Sequence, residues 1–194
     1  MEALLICTVG LPGSGKSVFV KAANLMNLPT VIMGDIVKKR AKERYGSDSL
    51  AYVSEYMQTI RKEYGKDIIA RFTVEKIVSE MPNAKVILVD GLRCFEEVEY
   101  FRKRGYRVVI IGVYASLKTR FNRVLGRGRS DDVKTLEEFI EREKREVSLG
   151  LLDVFRRANY LFINEGISEE EAILDARKLL EVILRIHGYE EEED

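Results

Sequence analysis

Short apolar runs alternate along the chain with longer segments in which apolar residues recur every three or four positions. Polar side chains hardly interrupt these runs, as in strands whose two faces are both covered by other elements. Alternation of such runs with helical segments is typical of βα units and predicts an α/β fold with a parallel sheet. Five runs predict five strands, at residues 3–9, 29–33, 85–90, 106–115 and 159–164.

The segments between the runs show helical spacing, and capping boxes predict where two of the helices begin. These boxes are Thr135 with Glu138 and Ser168 with Glu171. The connection over residues 35–84 is far longer than a single crossover needs. It predicts a helical insertion that reaches over the edge of the sheet where ligands bind.

Composition narrows the classes of protein that fit. With 46% hydrophobic and 33% charged residues, the chain is neither disordered nor embedded in a membrane. Its 32 basic and 32 acidic side chains cancel, which argues against a general nucleic-acid coat. A length of 194 residues favours one domain over residues 1–194. Cys7 and Cys94 predict free thiols in a reducing compartment, so we expect a soluble, cytoplasmic protein.

The sequence GLPGSGKS fits the pattern G-x-x-x-x-G-K-[ST], and it stands between an apolar run and a helical segment. Its glycines allow successive N–H groups to turn toward a phosphate, and the following helix adds its positive end. We expect Lys16 to reach the β- and γ-phosphates of a nucleotide and the Ser17 hydroxyl to bind Mg²⁺. The nucleotide site is predicted at Gly10, Pro12, Gly13, Ser14, Gly15, Lys16 and Ser17.

Polar residues follow two other apolar runs. Asp90 ends the third run and is predicted to be a second Mg²⁺ ligand, with a turn or helix-cap role as the alternative. Gly34 and Asp35 follow the second run and precede a basic helix. Because ligands gather at the carboxyl ends of parallel strands, Gly34 and Asp35 are expected to face a second substrate.

Four arginines lie in the stretch KTRFNRVLGRGRSDD, namely Arg120, Arg123, Arg127 and Arg129. The last two of these arginines lie beside two glycines, Gly126 and Gly128, at the end of a predicted helix. We therefore expect the arginine side chains to be able to move over bound phosphates. Guanidinium groups that arrive on closure stabilise the charge of a moving phosphoryl group and exclude water. A solvated charged face is the alternative interpretation.

Together these motifs resemble those of the P-loop nucleoside monophosphate kinases, most closely archaeal proteins described as predicted nucleotide kinases related to adenylate and cytidylate kinases. GLPGSGKS resembles the phosphate loop of that family, MGD its TGD motif, DGLR its DGFPR motif and RGRSDD its GRxDD lid motif. The resemblance implies a three-layer P-loop NTPase fold with strand order 2-3-1-4-5. It also implies Mg²⁺-dependent transfer of the γ-phosphoryl group of ATP to a small molecule that bears a monophosphate.

The same resemblance assigns roles to individual residues. Arg93 matches the arginine that holds the acceptor phosphate, although DGLR is one residue shorter than DGFPR. Arg123 and Arg129 match lid arginines around the transferring group and, with Lys16, are the expected catalytic residues. Arg120 is expected to contact the ATP.

Two accessory regions are also implied, a helical acceptor-binding insertion over residues 35–84 and a short lid over about residues 120–145. Lys38 stands where the family has an arginine, and a lysine supplies charge without a bidentate grip. Arg61 of the insertion is a further candidate for the acceptor, with a surface role as the alternative. The expected acceptor site comprises Gly34, Asp35, Lys38, Arg61, Asp90, Gly91 and Arg93.

Two other functions stay open. One is a kinase that acts on dephospho-coenzyme A. The other is an adenylate-kinase-like ATPase that acts as an assembly factor, for example in ribosome maturation, and only this function would imply nucleic acid as a partner. Glu96 and Glu97 occupy the region where adenylate kinases have an adenine-reading glutamine, so the sequence does not identify the acceptor base.

Overall fold

The computed structural model describes residues 3–127 and 133–189. Over these residues the chain forms one five-stranded sheet, in which all strands are parallel and stand in the order β2-β3-β1-β4-β5. The expected fold class, strand number and strand order are confirmed. The strands are β1 (Leu4–Val9), β2 (Thr30–Ile32), β3 (Val86–Asp90), β4 (Arg107–Tyr114) and β5 (Tyr160–Ile163).

Helices connect the strands and cover both faces of the sheet. Residues 35–84 contain most of α2 together with α3, α4 and the short connections between them. The region expected to be a lid contains parts of α6 and α7, and residues 128–132 lie outside the described part. The helices are α1 (Ser17–Leu25), α2 (Met33–Tyr45), α3 (Leu50–Tyr64), α4 (Ile68–Glu80), α5 (Phe95–Lys103), α6 (Leu117–Arg127), α7 (Leu136–Ser148), α8 (Leu151–Arg156) and α9 (Glu169–Ile186).

Strand β1 lies at the centre of the sheet, and all of its side chains are buried. Thr8 is opposite Asp90 of β3, and Val9 is opposite Gly112 of β4. Because the strands are parallel, their carboxyl ends meet at one edge. The glycine-rich sequence therefore starts at the middle of the edge where sheets of this type bind ligands.

The side chains of β1 alternate between two hydrophobic layers. Leu5 and Cys7 pack in a cluster with buried residues of α2 to α5 and α8. Leu4 and Ile6 pack on the opposite face with residues of α1 and α9. Burial on both faces explains why the strand sequence is a continuous apolar run, and it gives the molecule three layers.

A smaller cluster joins the insertion to α6 and α7. Val124 of α6, Val133 and Phe139 of α7 are buried together, and Leu50 and Phe121 pack against them. Since Leu50 is the first residue of α3, this cluster fixes the start of that helix beside α7. The insertion and α7 thereby enclose space above the sheet edge.

Helix boundaries follow the predicted capping boxes. The hydroxyls of Thr135 and Ser168 each accept a hydrogen bond at 3.2 Å from the backbone N–H three residues later. Met33 ends the second apolar run but begins α2, where its side chain is buried just as a strand residue would be. Among the helices of residues 3–127 and 133–189, none combines the length and apolar character that a membrane crossing requires.

The Phe19→Ala substitution is expected to lower the free energy of unfolding by about 3–5 kcal/mol, because it leaves a cavity in the core. Phe19 is fully buried, and its ring centroid lies 5.0 Å from that of Phe162. Chemical denaturation followed by circular dichroism measures the change. In the control Leu25→Ala, a side chain that is 64% exposed is truncated, and a change below about 0.5 kcal/mol is expected. Equal effects of the two substitutions would contradict this packing.

Candidate functional site

The glycine-rich loop between β1 and α1 has a shape that requires two of its glycines. Gly13 and Gly15 have φ angles of 78° and 89°, which side chains disfavour. A Cβ atom at Gly13 would lie 2.4 Å from the carbonyl oxygen of Arg120, and one at Gly15 would lie 2.2 Å from Asn164 Nδ2. The loop therefore packs directly against α6 and the residue that follows β5.

Three side chains hold the loop by its carbonyl groups. Arg120 Nη1 donates to the carbonyl oxygen of Pro12, and Arg123 Nη1 donates to that of Ser14, both at 3.3 Å. Asn164 Nδ2 donates a second hydrogen bond to the Ser14 carbonyl at 3.1 Å. With the carbonyl groups engaged on this side, the N–H groups of the loop are available to an anion on the other.

Several donors of the loop have no partner among the residues that the structure describes. Within the described part of the chain, the N–H groups of Gly13, Gly15 and Lys16 make no backbone hydrogen bond. The Ser14 hydroxyl is buried and also lacks a partner among the described residues. Such donors are costly unless a ligand or water satisfies them. Helix α1 begins at Ser17, so its positive end adds to a site that fits phosphate oxygens.

Lys16 bends back over the loop and donates from Nζ to the carbonyl oxygen of Gly10 at 2.7 Å. Burial lowers the pKa of Lys16, and the nearby Arg93 lowers it further, while the carboxylates of Asp90 and Glu146 oppose the shift. The charged form of Lys16 is therefore poorly compensated by the protein alone. Phosphate groups would supply the missing negative charge.

The residues expected to hold Mg²⁺ lie at the carboxyl ends of β3 and of the loop. Asp90 Oδ1 accepts a short hydrogen bond from Thr8 Oγ1, which orients the carboxylate. Ser17 is exposed in the first turn of α1. Mg²⁺ commonly takes one or two protein oxygens and completes its shell with water and phosphate oxygens, so these two residues fit it. In the described chain, no group of three Asp, Glu, His or Cys residues could hold a metal ion.

Arg120 is a buried support of the loop. Only 6% of the residue is exposed, Nε donates to the carbonyl oxygen of Ala115 at 2.9 Å, and Nη1 pairs with Glu143 of α7. A swing over a nucleotide would break these contacts. The structure thus does not bring Arg120 to a solvent-accessible position, and its contact with ATP stays a prediction.

Arg123 lies beside the loop and is partly buried. Its Nη2 donates to the backbone carbonyl of Asn164 at 3.0 Å and to Asn164 Oδ1 at 3.1 Å. These bonds hold the guanidinium at the margin of the phosphate loop, and its expected role at the transferring group stays a prediction. Arg129 lies outside the described residues.

A cavity of about 160 Å³ opens between the insertion, the turn after β3 and α7. Its charged lining consists of Lys38, Arg93, Arg127, Arg142 and Arg145, with the carboxylates of Asp48 and Glu146. Its apolar lining consists of Val37, Leu50, Val53, Met57 and Leu149. Such a cavity combines an anion-binding side with a surface for a flat, less polar group.

Arg93 is held in this cavity by contacts on two sides. Nη1 donates to the carbonyl oxygen of Gly91 at 2.9 Å, where the glycine has a φ of 105°. Nε lies 3.0 Å from Glu146 Oε2 of α7, although the two groups lack the alignment of a hydrogen bond. Arg93 therefore presents its charge inside the cavity, and its contact with an acceptor stays a prediction.

The insertion contributes some of its expected residues to the cavity. Gly34 and Lys38 line it, whereas Asp35 is exposed in the first turn of α2 and is not part of the lining. Arg61 does not line it either, because its side chain is buried and its Nη2 lies 2.8 Å from Glu97 Oε1. The expected contact of Arg61 with an acceptor is thus replaced, in this structure, by an ion pair behind the cavity.

Sequence reasoning missed residues that the structure brings to the site. Asn164 is 2% exposed and holds the phosphate loop, and its position at the end of an apolar run was an available signal. Glu97 forms a capping box at the start of α5, but with Cys94 in place of the usual hydroxyl residue. Glu146 and Arg145 are part of an ordinary charged helix sequence, which gives no local signal.

Solved structures with the same fold include a shikimate kinase. TT1252 from Thermus thermophilus superimposes with a TM-score of 0.64 over 96% of this chain and 99% of its own, at 18% identity. A shikimate kinase from Acinetobacter baumannii, solved with shikimate, gives a TM-score of 0.55 over 95% and 94%, at 15% identity. These similarities concern the fold alone. It is a P-loop kinase-like fold.

Sequence comparisons give the family. The model of an AAA domain family matches residues 6–147. A UPF0200 protein of Methanopyrus kandleri is 44% identical over 184 residues, which cover 94% of this chain and 91% of the relative. A UPF0200 protein of Hyperthermus butylicus is 40% identical over 177 residues, which cover 91% and 93%. The chain therefore belongs to the UPF0200 proteins and carries an AAA domain in its first three quarters.

Proposed function

We propose that the protein transfers the γ-phosphoryl group of ATP, bound with Mg²⁺, to a small acceptor that carries a phosphate group. The simplest acceptor is a nucleoside monophosphate of the AMP or CMP type. The observation that carries this proposal is the cavity beside Lys16, which five basic side chains line. The kinase-like fold is consistent with it.

On the donor side, the loop from Gly10 to Ser17 binds the ATP phosphates. The free N–H groups of the loop and the Ser14 hydroxyl donate to phosphate oxygens. Lys16 leaves the Gly10 carbonyl and pairs with the β- and γ-phosphates. The Ser17 hydroxyl and the Asp90 carboxylate hold Mg²⁺, which neutralises charge on the phosphates.

On the acceptor side, Arg93 and Lys38 bind the acceptor phosphate, and the apolar wall of the cavity receives its less polar part. Arg142 and Arg145 approach from α7 on the opposite side. The turn that carries Arg93 is tied to the end of β1, since the N–H groups of Gly91 and Leu92 donate to the carbonyl oxygen of Thr8, so the cavity adjoins the phosphate loop. That proximity is what a direct transfer between two bound phosphates requires.

Direct phosphoryl transfer requires the protein to position the two phosphates and to neutralise their charge, and it does not require a general base. An oxygen of the acceptor phosphate forms the new bond to the γ-phosphorus, the bond from that phosphorus to the β–γ bridging oxygen breaks, and ADP leaves. Lys16, Arg123 and Arg129 stabilise the negative charge on the phosphoryl group during the transfer.

The proposal predicts acceptor-dependent phosphoryl transfer from MgATP. The panel comprises AMP, CMP, UMP, GMP, their deoxy forms and dephospho-coenzyme A, and product nucleotides are separated by ion-exchange chromatography. One or two acceptors are expected to react rapidly, and Lys16→Ala is expected to lower the rate by about 10²-fold or more, since it removes charge from the transition state.

An acceptor-free reaction is the control for the panel. ATP loss that depends on Lys16 but that no acceptor accelerates would contradict the kinase proposal for these acceptors. It would favour the ATPase alternative, with a macromolecular partner. If dephospho-coenzyme A is the single acceptor that reacts, the proposed acceptor is wrong, but the proposed transfer of phosphate from ATP to a small molecule is retained.

Asn164→Ala is expected to weaken the binding of MgADP about tenfold, because the Ser14 carbonyl loses one donor and the loop loses its support. Titration calorimetry measures the affinity. The matched control is Asn122→Ala on the exposed side of α6, for which no change is expected. Unchanged affinity in Asn164→Ala would show that the loop keeps its shape without this contact.

ATP binding is expected to take up protons as the pH rises toward the ordinary pKa of a lysine side chain, about 10.4. Burial holds the pKa of Lys16 below its ordinary value in the ligand-free protein, and bound phosphates raise it. Calorimetry in buffers of different ionisation enthalpy measures the uptake. Lys16→Arg is the control, because a guanidinium stays protonated at these pH values. Equal uptake in both proteins would contradict the assignment to Lys16.

A further inference from the structure

Buried contacts link the insertion helix α3 to the turn that carries Arg93. Glu97, in the first turn of α5, is fully buried, and its two carboxylate oxygens have different partners. Oε1 lies 2.8 Å from Arg61 Nη2 of α3. Oε2 accepts hydrogen bonds from the backbone N–H groups of Arg93 at 2.7 Å and Cys94 at 3.3 Å. The carboxylate that pairs with Arg61 thus also fixes the backbone of Arg93.

Two further contacts join the same elements. Cys94 Sγ lies 3.4 Å from the carbonyl oxygen of Lys66, which follows α3, and Lys66 Nζ lies 2.9 Å from Glu96 Oε1. The side chains of Lys66 and Glu96 are 62% and 42% exposed, whereas those of Arg61 and Glu97 are 6% and 0% exposed. The junction therefore contains one exposed and one buried ion pair in adjacent positions.

Arg61 shares a face of α3 with residues that line the cavity. Ser54, Met57 and Gln58 line it and precede Arg61 by seven, four and three positions, which places all four side chains on one stripe of the helix. Helix α3 is thus one wall of the cavity, and Arg93 extends into the same cavity. Arg61 and Glu97 thus connect this wall of the cavity to the backbone of Arg93.

Stability alone gives little reason for the buried pair. The desolvation of two charges often costs as much as their attraction returns, and apolar replacements of such pairs are frequently neutral. Arg61 Nε and Nη1 are buried and have no hydrogen-bond partner among the described residues, which adds a further cost. A role in placing Arg93 would explain why Arg61 and Glu97 form this buried pair, since the pair contributes little to the stability of the fold.

We propose that Arg61 and Glu97 are positioning residues for the acceptor phosphate. They hold the backbone of Arg93 so that its guanidinium meets the phosphate, and neither of them touches the acceptor. This inference rests on the proposed function, since it takes Arg93 as the ligand of the acceptor phosphate.

The test is the double variant Arg61→Met/Glu97→Gln, which removes both charges and with them the link between α3 and the turn that carries Arg93. The glutamine oxygen can still accept the N–H groups of that turn, which helps the variant to fold. Steady-state kinetics with AMP and CMP are expected to show an acceptor KM about tenfold higher, with the KM for ATP within about twofold of wild type. Thermal unfolding checks that the variant is folded. Arg61→Lys keeps the charge and is expected to recover most of the acceptor affinity.

Glu96→Gln is the matched control, because it removes the neighbouring carboxylate of the exposed pair and is expected to leave both KM values unchanged. An unchanged acceptor KM in the double variant, or equal increases for acceptor and ATP, would overturn the inference. If the wild type transfers phosphate to no acceptor, the proposed function has failed, and calorimetric titration with AMP and CMP decides the inference. The inference is supported if AMP or CMP binds the double variant more weakly than it binds the wild type. Equal affinities for the two proteins overturn the inference. A wild type that binds neither nucleotide overturns both proposals.

Discussion

The carbonyl oxygen of Ser14 accepts hydrogen bonds from Arg123 and Asn164, and the phosphate loop depends on this support. Without partners behind it, a glycine-rich loop would lose the alignment of its N–H groups, because glycine restricts the backbone least. Asn164 follows β5 and Arg123 lies in α6, so the support reaches the loop from the side of β4. The strand order thereby sets the shape of the loop, and the missing Cβ of Gly15 leaves room for the Asn164 amide.

Buried ion pairs place the rest of the site around that loop. Arg120 pairs with Glu143 and joins α7 to the loop, and Arg61 pairs with Glu97 and joins α3 to the turn after β3. Each pair connects one of these helices to an element that follows a strand of the sheet, α6 after β4 in the first case and α5 after β3 in the second. Apolar packing alone tolerates small displacements, whereas the loss of either partner leaves an unpaired charge in the interior. Such pairs therefore restrict where the helices can lie.

The sequence predicted what depends on local pattern and missed what depends on distant partners. The strands and the phosphate loop were predictable, because burial on both faces and the close approach of an anion restrict the allowed residues at each position. Arg61 and Arg120 suggested ligand contacts, yet both are buried in ion pairs with carboxylates 36 and 23 positions away, which no local pattern indicates. Asn164 follows a strand, as Asp90 ends one, and the rule that ligands gather at the carboxyl ends of parallel strands applies to both residues.

The charge of the cavity is the physical reason for proposing a phosphate-bearing ligand there. Among the described residues that line it, five are basic and two, Asp48 and Glu146, are carboxylates. Around a partly enclosed space such charges repel one another, and water screens them less than at an open surface. Glu146 relieves part of this repulsion at Arg93, but the two groups are not aligned as a hydrogen bond. A phosphate dianion carries more negative charge than a single carboxylate. It can also accept several aligned hydrogen bonds from the basic side chains, which the carboxylate of Glu146 on α7 does not.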